Sequence, residues 1–235
     1  MYFLLIILIH VPAVQTFLGR QVAGAVSRKL GTEVSVGRVD LGFFNRLIID
    51  DVVIKDQKHQ DMLRSNRMTV KIDLLPLLDG RIRISSAQLF GAHANLYRET
   101  AESEPNYQFA LDSLKSKDNK KESTLDIRIN SLIIRNSSVA YNQLDAPQTP
   151  EQFNIKHLGL SDISAYIELH ELTKEKLDIN IKRLAFKEQS GLQVNRLSMK
   201  VEGTNNKADI RGFCLEMPHS NIAFDHLSVY LGFLG

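Results

Sequence analysis

The side chains that could perform chemistry lie along this sequence without the spacing that known reactions need. Residues 19–31 contain glycines but not the lysine and hydroxyl pair of a phosphate-binding loop. No G-x-S-x-G nucleophile elbow occurs, and Ser190-Gly191 is better interpreted as a hairpin turn. The histidines form no H-E-x-x-H pair, and His170-Glu171 has no second ligand after it. We therefore predict a protein that is not an enzyme and has neither cofactor nor metal.

Two short polar segments and one cysteine have alternative interpretations. Asp50-Asp51 could bind a cation, but paired acids at a strand turn are usually solvated. Asn136-Ser137-Ser138 matches a glycosylation sequon, and the same residues also form turns. The single Cys214 excludes an intramolecular disulfide and a zinc site built on cysteine pairs.

Composition indicates an ordinary folded chain with no nucleic-acid partner. The 235 residues are 43% hydrophobic and 24% charged, which is typical of folded domains. The formal net charge of +2 and the lack of a basic stripe interleaved with aromatic residues argue against nucleic-acid binding. The length suits one large β domain or two small ones.

A loosely repeated pattern predicts amphipathic β-strands. Two apolar residues at i and i+2 are followed by a polar or small pair and then by another apolar run. The pattern recurs from Leu47 (LIIDDVVIKD), Ile82 (IRISSAQLFG), Leu125 (LDIRINSLIIRNSSVAYN) and Ile179 (INIKRLAFKE). Its irregular spacing argues against a strict solenoid. Residues 107–114 are predicted to form a short helix.

Each predicted strand has one apolar and one polar face, because side chains alternate along a strand. The apolar face could be covered, as in a closed β-sandwich core or beneath a helix, or it could be an open groove that binds acyl chains. Periodicity favours the covered arrangement and leaves both open. The candidate groove residues are Ile82, Ile84, Ile127, Ile129, Ile133, Ile179 and Ile181.

The N-terminus is almost continuously apolar and is interpreted as a membrane anchor. It is short for a bilayer span, and no Lys or Arg precedes it, so we expect that Met1 is not the natural start. A cleaved signal or a buried helix are the alternatives. The anchor residues are Phe3, Leu4, Leu5, Ile6, Ile7, Leu8 and Ile9.

The predicted organisation has five regions. Residues 1–18 form the anchor and 17–31 an amphipathic capping helix. Residues 32–114 form a first β region with short helices, and 115–124 a charged linker. A second β region, 125–235, is expected to be truncated at its C-terminus.

In order along the chain, these features resemble the N-terminal part of the TamB/AsmA-like family. The resemblance rests on PAVQTFLGRQVAGAVSRKLGTEVSVGRVDLGFFNRLIIDDVVIKDQ, on DLLPLLDG and on RIRISSAQLFGAHANLYRE. The later SGLQVNRLSMKV and PHSNI are similar to the Bacteroides-type version. The resemblance to this family covers essentially the whole chain and rests on motifs of small and apolar residues.

The resemblance implies a mainly β fold. An N-terminal apolar helix would be followed by an elongated, curved antiparallel β-sheet, a β-taco or groove, with few short helices. It implies a single-pass protein of the inner membrane of a Gram-negative bacterium, with its bulk in the periplasm. The implied partners are phospholipid acyl chains, the inner membrane and an outer-membrane barrel assembly partner reached through a missing C-terminal region. The implied roles are phospholipid transport between the membranes, like that of bridge-like lipid-transfer proteins, and outer-membrane protein assembly.

A structural scaffold is the alternative function. In that case the same sheet would have a closed core and would bind a protein partner by strand addition at an edge. The lipid-groove function is the first hypothesis, and the scaffold is its alternative.

Overall fold

The computed structural model describes residues 20, 23–42, 45–73, 82–115, 125–172 and 176–230. Within them a helix, α1, covers residues 23–30, and a second helix, α2, covers Gln108–Lys115. The helix expected over residues 107–114 is therefore present with a shift of one residue. The described strands are β1 Val34–Ser35, β2 Val39–Gly42, β3 Arg46–Lys55, β4 Asp61–Asp73, β5 Ile82–Arg98, β6 Leu125–Gln143, β7 His157–Leu172, β8 Lys176–Glu188, β9 Gln193–Thr204, β10 Lys207–Met217 and β11 Ser220–Tyr230.

The described strands form one open sheet rather than two packed sheets. The order is β1-β3-β4-β5-β6-β7-β8-β9-β10-β11, and β2 pairs with β3 beside β1. The mainly β prediction is confirmed, and the closed sandwich expected as an alternative is not what these strands form.

One parallel junction interrupts an otherwise antiparallel sheet. β5 and β6 run in the same direction, with Ile82 opposite Leu125 and Arg98 opposite Gln143. A parallel pair needs a long crossover, and the segment between Arg98 and Leu125 is long enough to provide it. The wholly antiparallel prediction is corrected here. The two predicted β regions meet at this junction and belong to one continuous sheet.

The compact core lies at the N-terminal end of the sheet. Val39, Ile49, Val52, Val70 and Ala87 are buried against one another. α1 is followed by Gly31, whose φ of 68° suits the left-handed position after a helix. Its C-terminal end is joined to β3, since Thr32 Oγ1 donates to the Lys55 carbonyl at 2.8 Å.

The described residues contain no helix that is both long and apolar enough to cross a membrane. The first described helix, α1, is short. The predicted fold with a membrane-spanning N-terminal helix and the predicted single-pass inner-membrane location are therefore corrected. The proposed anchor residues Phe3–Ile9 lie outside the described residues.

A line of left-handed residues crosses the middle of the sheet. Asp51, Gly91, Asn136 and Asp162, on β3, β5, β6 and β7, have φ values of 55°, 60°, 49° and 53°. The ladders shift register between Ile134 and Ser137 and between Ser161 and Ser164. Irregularities of this kind bend a strand and change which face the following side chains occupy. The turn predicted at Asn136-Ser137-Ser138 is thus a kink inside the continuous strand β6.

Gly91→Ala is expected to lower the free energy of unfolding by about 1–2 kcal/mol. At φ 60° an L-residue is strained, and an added Cβ would lie 2.5 Å from the Asn66 Nδ2 atom. Gly203→Ala on β9 is the control, since its Cβ would make only ordinary contact, 3.5 Å from Leu177 Cβ. Urea unfolding measures both variants. Equal stability of the two would contradict the assigned kink.

Candidate functional site

The main candidate site is the apolar face of the sheet, which is built from directly opposed side chains. One row of apolar residues follows the ladder from β3 to β11 without a polar member. Its nine residues are Ile49, Met68, Leu89, Ile134, Ala165, Leu184, Leu197, Leu215 and Ile222. Opposed residues share a face, and at ~4.8 Å per strand the row is roughly 40 Å long.

Flanking rows widen this face. A second row contains Leu47, Val70, Ala87, Leu132, Ile167, Ile181 and Met199. A third contains Leu169, Ile179, Val201, Ile210 and Leu227. The face is most deeply buried near β3 and most exposed near β11, where Ile222 is 50% exposed. It therefore opens toward the β11 end of the described sheet.

Two buried serines on this face, Ser65 and Ser137, offer little to a polar ligand. Ser65 and Ser137 are 3% and 4% exposed. Ser65 Oγ donates to the Arg67 carbonyl at 3.0 Å. Ser137 Oγ donates to the Arg135 carbonyl at 2.9 Å and accepts from the Ala92 N–H at 3.1 Å. Because both hydroxyls are committed to the kinked backbone, a ligand of this face would be held by apolar contact.

No protein-family model matches this chain, and no curated protein is significantly similar to it in sequence. The resemblance to the TamB/AsmA-like family therefore stays a prediction.

The structure separates the seven candidate groove residues. Ile179 and Ile181 lie in the apolar rows, and Ile84 packs against the buried core. Ile133 lies on the opposite face, where it lines a cavity with Arg67 and Gln88, whereas its neighbour Leu132 packs against the core.

The three remaining candidates lie where only the backbone is described. Ile82 pairs with Leu125, and Ile127 pairs with Ile84. Ile129 belongs to β6.

The other face of the sheet is charged and internally paired. Arg67 Nε donates to Asp50 Oδ1 at 2.7 Å, and Arg38 Nη2 donates to the other oxygen at 3.2 Å. The hydrogen bond from Arg67 is the main reason why the pKa of Asp50 lies below its usual value. Lys182 Nζ lies 3.2 Å from Glu168 Oε2 in a similar pair. The charged face is therefore suited to contact with water, and the face that carries the apolar rows is suited to apolar ligands.

The Asp50-Asp51 pair does not form a cation site in the described structure. Asp50 is engaged by the two arginines, and Asp51 occupies a left-handed kink. Within the described ranges no group of three or more His, Cys, Asp or Glu side chains could hold a metal ion.

A Ser-His-Asp cluster on β10 and β11 was missed in the sequence. Ser228 Oγ donates to Asp209 Oδ1 at 2.5 Å and lies 3.3 Å from His226 Nε2, which is itself 3.2 Å from Asp209 Oδ1. A relay needs serine and aspartate on different imidazole nitrogens, but here both meet Nε2. The sequence feature that could have indicated this cluster is the i, i+2 spacing of His226 and Ser228, which places both side chains on one face of a strand. The cluster is not arranged for nucleophilic catalysis.

Proposed function

We propose that this chain binds the acyl chains of lipids along the apolar face of its sheet. The observation that carries the proposal is the apolar row over nine adjacent strands, with no described second layer of strands over it. Removing an acyl chain from water is favourable by about 0.8 kcal/mol per CH₂. No catalytic group is needed.

The shape of the row favours a linear ligand. Its length of roughly 40 Å exceeds that of one extended acyl chain, so several chains could lie along it or one could move between positions. Phospholipid transport between membranes and support of outer-membrane protein assembly are the finer functions that the family resemblance implies. They depend on that resemblance, whereas acyl-chain binding depends on the face itself.

Photo-crosslinking on β8 tests this function. A benzophenone amino acid at Ile179 or Ile181 is expected to form phospholipid adducts in cells, because both residues lie in apolar rows. The same probe at Asn180 or Lys182 should not, since these residues engage Glu168 on the charged face. Mass spectrometry identifies the adducts. Equal labelling at all four positions, or only intramolecular adducts at the isoleucines, would rule out acyl binding on this face.

Strand addition at β11 is the second candidate function. Among the described strands, β11 pairs only with β10, and its apolar Leu227, Val229 and Tyr230 are 45%, 39% and 75% exposed. A partner strand with alternating apolar side chains could extend the sheet there. If a second copy is that partner, sedimentation should show a dimer that Leu227→Lys disrupts. A monomeric wild type would exclude self-addition.

A further inference from the structure

A cavity on the charged face combines an exposed aromatic ring with unused polar groups. Its volume is about 470 Å³, within the range of small-molecule sites. Phe90 is 47% exposed there, although most of this face is polar. Arg67 and Arg135 lie directly opposite Phe90 on the two neighbouring strands, so the three side chains share one face of the sheet. The cavity is lined by Asn66, Arg67, Thr69, Gln88, Phe90, Ile133 and Arg135, with Leu89.

The charge of this cavity is positive and only partly compensated. Arg67 donates through Nε to Asp50, which also pairs with Arg38. The Arg135 side chain is exposed and has no ion pair or hydrogen bond among the described residues. Among the described residues that line the cavity there is no carboxylate. An anionic group would therefore find an uncompensated guanidinium beside an apolar surface.

The neutral polar side chains of the cavity are also unused. Asn66, Thr69 and Gln88 make no side-chain hydrogen bond within the described part of the chain. Amide and hydroxyl groups of this kind can donate to carboxylate or phosphate oxygens, and arginine binds such groups with paired N–H donors. Phe90 and Ile133 provide the apolar contact.

We infer that this cavity binds an amphipathic anion, in which a phosphate or carboxylate meets Arg135 and an aromatic or aliphatic group packs on Phe90 and Ile133. The site lies on the opposite face from the acyl-binding rows, so it is independent of the proposed function. A free metabolite and a lipid headgroup both have the required chemistry.

Titration calorimetry with 1-naphthyl phosphate tests the site. The full chain is expected to bind one equivalent, and Arg135→Gln should weaken binding roughly tenfold or more through loss of a charge-assisted hydrogen bond. Phe90→Ala should weaken it too. The matched control is Arg183→Gln, which removes an exposed arginine of the same face outside the cavity. Circular dichroism confirms folding of each variant.

The comparison of probes separates the two sources of the ligand. A free ligand is supported if the protein binds naphthyl phosphate but its retention on phosphatidylglycerol vesicles does not depend on Arg135. A lipid headgroup is supported if the protein is retained on phosphatidylglycerol vesicles but not on phosphatidylcholine vesicles, and if Arg135→Gln abolishes this retention. Absence of saturable naphthyl phosphate binding, or equal binding by wild type and Arg135→Gln, overturns the inference.

Discussion

Asp56→Ala is expected to lower the free energy of unfolding by about 3 kcal/mol. Asp56 is 1% exposed, and its carboxylate accepts four hydrogen bonds. The backbone N–H groups of Lys58 and Gln60 donate at 2.8 and 2.9 Å. The Tyr97 hydroxyl donates at 3.0 Å and Asn106 Nδ2 at 3.3 Å. Alanine would leave four donors without this acceptor and would detach the turn after β3 from the connection after β5.

The pH dependence of Asp56 gives a second readout. Burial raises its pKa, but the four donors outweigh burial, so the pKa lies below the ordinary value of 3.8. A lowered pKa means that the stabilisation is present above pH 3.8 and is lost as the pH falls further. The difference in unfolding free energy between wild type and Asp56→Asn should therefore shrink below about pH 4.

Glu99→Gln is the control for the Asp56 variants. Glu99 pairs with Lys58 at the same end of the sheet, but its side chain is 59% exposed. Urea unfolding from pH 3 to 7 should show a loss below about 0.5 kcal/mol for this control. If Asp56→Ala lost no more than Glu99→Gln, the buried network would not stabilise the fold.

The repeated sequence pattern indicates kinks in the strands as well as the alternation of side chains. Ile49 and Val52 are three residues apart, so strict alternation places them on opposite faces, yet both belong to the core. The kink at Asp51 restores the common face. The same arrangement brings Ile181 and Leu184 into adjacent apolar rows. An apolar residue, two polar residues and another apolar residue therefore mark a kink in this sheet.

Alternation fails where such a kink intervenes. Ile84 and Gln88 share sequence parity on β5, yet Ile84 packs against the core and Gln88 lines the charged-face cavity beside its partner Ile133. The face changes because β5 has one extra residue relative to β4 between Ile84 and Ser86. The sheet register, and not local hydrophobicity, determines this outcome. The parallel pairing of β5 with β6 could not be predicted from local sequence either, because it depends on contacts between residues far apart in the chain.

The polar sites were the least predictable part of the structure. Asp56 resembles any turn residue in the sequence, and its partners Tyr97 and Asn106 follow more than forty positions later. The Arg67–Phe90–Arg135 row likewise exists only after three strands are aligned. The local sequence pattern identifies the strands and their apolar residues. The sites on these strands can be predicted only when the pairing of the strands is known.

Leu184→Asp is expected to leave the chain folded and to weaken acyl-chain binding at least tenfold. Leu184 lies next to the middle of the long apolar row, between Ala165 and Leu197, and it is half-buried. Water can reach a partly exposed carboxylate in the free protein, so the loss of stability should stay at about 1–2 kcal/mol. A bound acyl chain would remove that water, and an unpaired charge in an apolar contact costs more than the 1.4 kcal/mol of a tenfold change.

Arg183→Asp separates the effect of the face from the effect of the charge. Arg183 is the neighbour of Leu184 and lies opposite Tyr166, outside the apolar rows, so its variant should bind a pyrene-labelled phospholipid like wild type. Fluorescence titration measures binding, and urea unfolding measures stability. Unfolding of Leu184→Asp alone would mean that this face is packed as a core, which favours the scaffold function. Equal binding by both variants would place acyl chains elsewhere. Since the two substitutions are one residue apart on β8, only the assignment of faces predicts that they differ.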